Sequence, residues 1–200
     1  MYMGGRRGGG GWWLFEFQQA QQLDDSKGSD VYDKNEKWHP PELGVLKLNV
    51  DAAVNLGEGT IGVGAVIRDY KGDVMGAMAK RIKGSFDPYI AECFAIREGL
   101  AFAKESFLHV RMVETDSLRV VNALGRYDKY AEESLILDDV KCLLLEADDG
   151  SYMFILRNGN RASHTLARFA LSLSSPLYWL EESPGCISHI VASELLVTNL

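Results

Sequence analysis

Two hundred residues, 46% hydrophobic and 24% charged, have the length and balance of one ordinary globular domain with extra chain at its ends. The formal charge of −7, from 28 acidic against 21 basic residues, excludes a protein that grips nucleic acid with a broad basic surface. It does not exclude a site that gathers carboxylates around a metal ion, because the bound ion reverses the local field.

No apolar run approaches the ~20 residues that cross a bilayer, and no secretory-type apolar stretch follows Met1. A soluble, intracellular chain with no membrane partner is expected. Cys93, Cys142 and Cys186 are far apart and form no C-x-x-C pair. They read as buried thiols rather than as a zinc site or a disulfide framework.

Residues 1–37 read as a disordered or loosely structured leader. Gly4 to Gly11 is Gly-rich around Arg6 and Arg7, and Trp12, Trp13 and a Gln-rich stretch follow with no sustained period. Pro40 and Pro41 punctuate the boundary of an ordered domain spanning 38–194, with 195–200 as a tail.

Leu46, Leu48 and Val50 alternate with polar residues, which predicts a strand ending at Asp51. A second strand is predicted from about Gly62 to Asp69, then a turn at Lys71-Gly72-Asp73, then a third strand from Val74 to about Lys83. The three make an antiparallel meander. Asp87 as cap and Pro88 in the first turn start a helix predicted to reach about Phe107, with Ala91, Phe94, Ala95 and Leu100 inward.

A strand over Val110 to Thr115 leads into Asp116. Helical sequence follows, with Leu118, Val121 and Leu124 in one segment and Leu135 to Leu145 in another. Tyr152 to Arg157 reads as a fifth strand. Asn160 is placed to cap a last helix containing Leu166, Ala167 and Ala170, closed by Ser174, Ser175 and Pro176. The remainder, with Trp179, Ile187, Ile190 and Val191, is expected to pack back on the domain. Connections through helices make the later strands parallel to the first.

Asp51 and Asp116 each end a predicted strand. If those strands are parallel neighbours, both carboxylates emerge at the sheet edge where ligands of open α/β sheets collect. Glu92, early in the first helix, is placed to point across that edge. Two unit charges 4 Å apart repel by about 4 kcal/mol at an effective dielectric near 20, so such a cluster needs protons or a cation. Mg²⁺ suits hard carboxylate oxygens. Standing alone, Asp51 also reads as a solvated turn residue and Asp116 as a cap for a helix starting at Ser117.

Six segments in order, Trp38-His39-Pro40-Pro41, KLNVDAA, GVGAVIRDYKG, AECFAIREGL, VETDS and NRASHTLARFA, resemble the plant branch of the ribonuclease H-like domains. These are the type-1 domains found beside retrotransposon reverse transcriptases. The resemblance covers about residues 38 to 194. It implies an α/β fold with a five-stranded mixed sheet, its first three strands antiparallel, and helices on both faces. It also implies endonucleolytic, metal-dependent hydrolysis of RNA in RNA–DNA hybrids by a monomer using Mg²⁺, with Mn²⁺ as a substitute.

In that scheme Asp51 bridges two metals, Glu92 binds one and can reach a ribose 2′-hydroxyl, and Asp116 holds metal from the fourth strand. Nucleic-acid contacts fall on Asn49, Ser117, Arg157 and Arg161. One catalytic position departs from the pattern: where the broader family places a fourth carboxylate, this chain has His164. Imidazole is a poor Mg²⁺ ligand and adds no negative charge. Two further readings therefore stand beside the nuclease: a noncatalytic nucleic-acid-binding module and a protein-interaction domain on the same scaffold.

Overall fold

A computed structural model describes residues 37–84, 86–125, 134–147 and 151–198. The leader expected over residues 1–37 lies outside the described residues except for Lys37, as do residues 199–200 of the expected tail.

The strands are β1 (Leu46–Asn55), β2 (Thr60–Arg68), β3 (Val74–Lys83), β4 (Val110–Thr115), β5 (Ser151–Phe154) and β6 (Leu177–Leu180). They form one mixed sheet in the order β5-β4-β1-β2-β3-β6. β1, β2 and β3 are the expected antiparallel meander, while β4 pairs parallel to β1 and β5 parallel to β4. The sheet has six strands rather than the expected five. Four residues after the last predicted helix, LYWL, pair antiparallel with β3 from Ala79↔Leu177 to Gly76↔Leu180. That segment is too short and too uniformly apolar to show a period of two.

The helices are α1 (Pro88–Glu105), α2 (Leu118–Gly125), α3 (Ser134–Glu146), α4 (Arg161–Ala170) and α5 (Ser188–Thr198). Asp87 starts α1 by accepting the Ile90 N–H at 3.0 Å, with Pro88 at a position whose missing N–H costs nothing. α1 stops short of the expected Phe107, because Phe107 itself takes a left-handed φ of 57°.

Alternation along the strands divides the core into two layers. Leu48, Val50, Ile61, Val63, Ala65 and Ile67 face α1, α2 and α3 and pack with Ile96, Leu100, Val120 and Val140. Val66, Ala77 and Ala79 face the other way, onto Leu166 and Ala170 of α4 and Ile190 and Val191 of α5. β2 is buried at every position, which explains its near-continuous run of apolar and Gly residues. Cys93 lies in the first layer as expected of a buried thiol, but Cys142 on α3 is exposed.

Gly62 and Gly64 let α4 lie flush on the sheet. A Cβ at Gly62 would stand 2.1 Å from the Ala167 carbonyl oxygen, and one at Gly64 would stand 2.2 Å from that of Ser163. Only a residue without a side chain fits between a strand and a helix backbone this close.

Candidate metal centre

β1 carries Asp51, but the strand does not end there. Its antiparallel pairing with β2 continues to Asn55↔Thr60, whereas its parallel pairing with β4 stops at Val50↔Thr115. Asp51 is thus the first residue of β1 beyond its parallel partner, and Asp116 is the first residue beyond β4. Both lie at the sheet edge where the chain leaves β4 for α2 and where strand order changes direction around β1. α1 crosses the other face and brings Glu92 to the same edge.

One ligand atom from each of Asp51, Glu92 and Asp116 lies within 4.8 Å of the others. The Ala52 N–H donates to the Glu92 carboxylate, but Glu92 Oε2 is buried with no hydrogen-bond partner. Burial, followed by the charges of Asp51 and Asp116, pushes the Glu92 carboxyl up from its ordinary range to about 9. Burial also raises Asp116, with Asp51 adding to the shift and the Asn160 hydrogen bond and Arg157 opposing it. With neither a proton nor a cation, the cluster is electrostatically costly.

The residues present suit a hard divalent ion. They offer carboxylate oxygens from three elements, one of them an acceptor that the protein itself leaves unsatisfied.

The surroundings hold these carboxylates in place. Asn160 stands at the N-cap position of α4, yet its side chain makes no capping bond, contrary to the sequence expectation. Its Nδ2 instead donates to the Val50 carbonyl at 2.9 Å and to Asp116 Oδ1 at 3.2 Å. Its Oδ1 accepts from the Ser163 hydroxyl at 2.7 Å. One amide thus joins β1, the end of β4 and α4, a role that sequence reading missed. Only its position in the NRASH motif pointed to it.

His164 on α4 reaches Asp51, with Nδ1 2.6 Å from Oδ2. Arg157, in the 3₁₀ turn Arg157–Gly159, lays Nη2 3.0 and 3.1 Å from the two ring nitrogens of His164. Its Nη1 is 3.5 Å from Asp116 Oδ2. Nη2 is nearly equidistant from both ring nitrogens and so lies over the ring face rather than along one lone pair; a His164 tautomer with its proton on Nδ1 donates to Asp51.

Among the expected nucleic-acid contacts, Arg157 and Arg161 are exposed and Ser117 is half-buried beside Asp116. Asn49 is corrected: it is fully buried and has no surface to offer a nucleic acid. Its Nδ2 donates to Glu114 Oε2 at 2.8 Å and its Oδ1 accepts from the Trp38 indole at 2.9 Å. On β3, Lys80 pairs with Glu98 at 2.6 Å, and Arg81 with Glu58 at 2.7 Å. No helix among the described residues is long and apolar enough to cross a membrane.

The fold has relatives among solved structures. Ribonuclease H1 from the halophilic archaeon Halobacterium salinarum NRC-1 is 25% identical, with a TM-score of 0.57 over 64% of this chain and 98% of that one. LC11-RNase H1, isolated from compost by a metagenomic approach, is 19% identical with a TM-score of 0.56, over 64% of this chain and 96% of its own. The same enzyme in complex with an RNA/DNA hybrid is matched at 23% identity and a TM-score of 0.52, over 64% of this chain and 99% of that one.

These likenesses make the fold ribonuclease H-like. No curated protein matches the chain. A family model described as reverse transcriptase-like, however, matches residues 49–170, which run from within β1 to the end of α4 and include every carboxylate of the centre. Well over half of the sequence falls within that match, and the chain belongs to the reverse transcriptase-like family.

Proposed function

We propose that this chain is a ribonuclease H-type nuclease that hydrolyses the RNA strand of an RNA–DNA hybrid with a divalent metal. The observation that carries the reading is the convergence of Asp51, Glu92 and Asp116, from three separate elements, within 4.8 Å at the sheet edge. The complex of LC11-RNase H1 with an RNA/DNA hybrid supports the choice of substrate. The sequence segments at Trp38-His39-Pro40-Pro41, KLNVDAA and NRASHTLARFA are the reason to place it in the plant, retrotransposon-associated branch. A single copy supplies all three carboxylates, so a monomer suffices.

Asp51, Glu92 and Asp116 would hold Mg²⁺, or Mn²⁺ in its place. The ion, when bound, activates water and stabilises charge on the phosphoryl oxygens. The protein's own part is positioning. Asn160 and His164 each hold one oxygen of an aspartate, and the Ala52 N–H orients Glu92. Arg157 and Arg161, exposed at the rim, meet the phosphate backbone. Such contacts position a strand without reading its sequence.

The contact of His164 with Asp51 favours a second reading, a module that binds the hybrid without cutting it, since the imidazole competes for that carboxylate. A hybrid-cleavage assay in Mg²⁺ and in Mn²⁺ separates the two. The native chain is expected to cleave. Asp51→Asn should lose more than the roughly 10–100-fold that removal of an outer-shell partner costs at a metal site. Hybrid binding without cleavage by the native chain selects the second reading, and equal cleavage by Asp51→Asn eliminates the first.

A further inference from the structure

The centre is lopsided. On one side, Glu92 Oε2 is buried and has no partner. On the other side, the chain's own groups already face the two aspartates, each taking one acceptor site and leaving the remaining lone pairs for an ion. Asp51 Oδ2 meets His164 Nδ1 at 2.6 Å, Asp116 Oδ1 accepts from Asn160 at 3.2 Å, and Asp116 Oδ2 faces Arg157 Nη1 at 3.5 Å. Arg157 then closes over the imidazole, with Nη2 3.0 and 3.1 Å from its two nitrogens.

A guanidinium stays charged under all ordinary conditions, so this side carries a permanent positive charge. Three carboxylates are neutralised by one divalent ion together with one guanidinium. A second divalent ion beside Arg157 would meet like charge, and His164 would serve it poorly as a ligand for Mg²⁺.

We infer that Arg157 is a built-in cation standing in for a second metal ion, so that the substrate-free centre takes a single divalent ion, on the Glu92 side. This rests on the metal-binding reading above and refines the two-metal scheme that the sequence resemblance implies. Arg157 is 65% exposed, so its outer edge is still available to a substrate phosphate while its inner edge faces Asp116 and His164.

Metal counting tests the assignment without relying on turnover. Mn²⁺ is titrated into the full chain and bound ion is counted by electron paramagnetic resonance. The native chain is expected to bind one Mn²⁺, and Glu92→Gln to lose it. Arg157→Ala should bind two, whereas Arg157→Lys, which keeps the charge, should return to one. Arg157 lies on the surface, so neither variant removes a core contact.

Two ions on the native chain, or one ion on Arg157→Ala, would overturn the assignment to Arg157. Two native ions together with intact hybrid cleavage would sink only this inference. No Mn²⁺ on any form would sink the metal-binding reading beneath it, and the inference with it.

Discussion

Glu92 sits on α1 between the buried Ala91 and Cys93, and its protonation follows from its neighbours. Unfolded, its carboxyl titrates in the ordinary range near 4.5; folded without a cation, burial and the charges of Asp51 and Asp116 push it to about 9. Between these values the folded chain holds a proton that the unfolded chain has released, so stability falls as pH rises through that window. In chelator, the urea midpoint should therefore decline from pH 5 to pH 9, and Glu92→Gln should flatten the decline. A native midpoint that stays level or climbs would contradict the burial of this carboxylate. Adding Mg²⁺ should offset the loss increasingly at higher pH, because the ion takes the place of the proton.

At the scale of elements, the approach of α4 to β2 decides whether the centre forms. Gly64 pairs with Asp51 across the sheet and lies under the Ser163 carbonyl, one residue from His164. The GVG run of β2 is thus a site requirement as much as a packing one. Gly64→Val would drive its side chain into the α4 backbone, and α4 must lift to accept it. Overpacking of this kind costs about 1–3 kcal/mol. The expected result is a loss of that size in urea denaturation, together with weakened Mn²⁺ binding as His164 and Asn160 move from Asp51 and Asp116. A variant as stable as the native chain would show that α4 is not seated on β2 as described.

For the molecule as a whole, a buried polar network ties the ends of the domain to the centre. Arg68, 1% exposed, pairs with Glu194 of α5 at 2.5 Å and stacks on Trp38 with its guanidinium carbon 3.5 Å from the ring centroid. Arg68 Nη2 donates to Asn49 at 3.3 Å, and Asn49 Nδ2 reaches Asn160 Oδ1 at 3.4 Å. Lys47 adds a second buried pair with Glu114 at 2.6 Å. The residue that orients Asp116 is therefore continuous with contacts to α5. Removing one partner strands a charge in the core, so Glu194→Ala should cost about 3–5 kcal/mol. The double change Arg68→Met with Glu194→Leu should recover most of that loss, because apolar groups of similar size need no partner. Equal instability of the single and double variants would show that packing, rather than the unpaired charge, dominates.

Much of this architecture was legible in local chemistry. Local sequence signals placed β3 and β4 at their observed bounds, Asp87 and Pro88 marked the start of α1, and chain order put Asp51 on the first strand and Asp116 just after the fourth with Glu92 between them, although β1 runs on past Asp51. These are short-range signals that depend on a residue and its near neighbours. The four-residue β6, the left-handed stop at Phe107 and the exposure of Cys142 depend on which surfaces later segments cover.

The largest departures concern buried polar groups. Asn49 read as a nucleic-acid contact and is a core residue; Asn160 read as a helix cap and holds Asp116; Arg157 and His164 were assigned separately and form one contact pair. A polar side chain taken from water bonds to whichever donor or acceptor the packed elements bring within about 3 Å. The sequence by itself determined most of the elements and the three carboxylates, because period, capping and charge are written along the chain. Only the tertiary structure decided the partners of those polar groups, because partners are chosen by which elements meet.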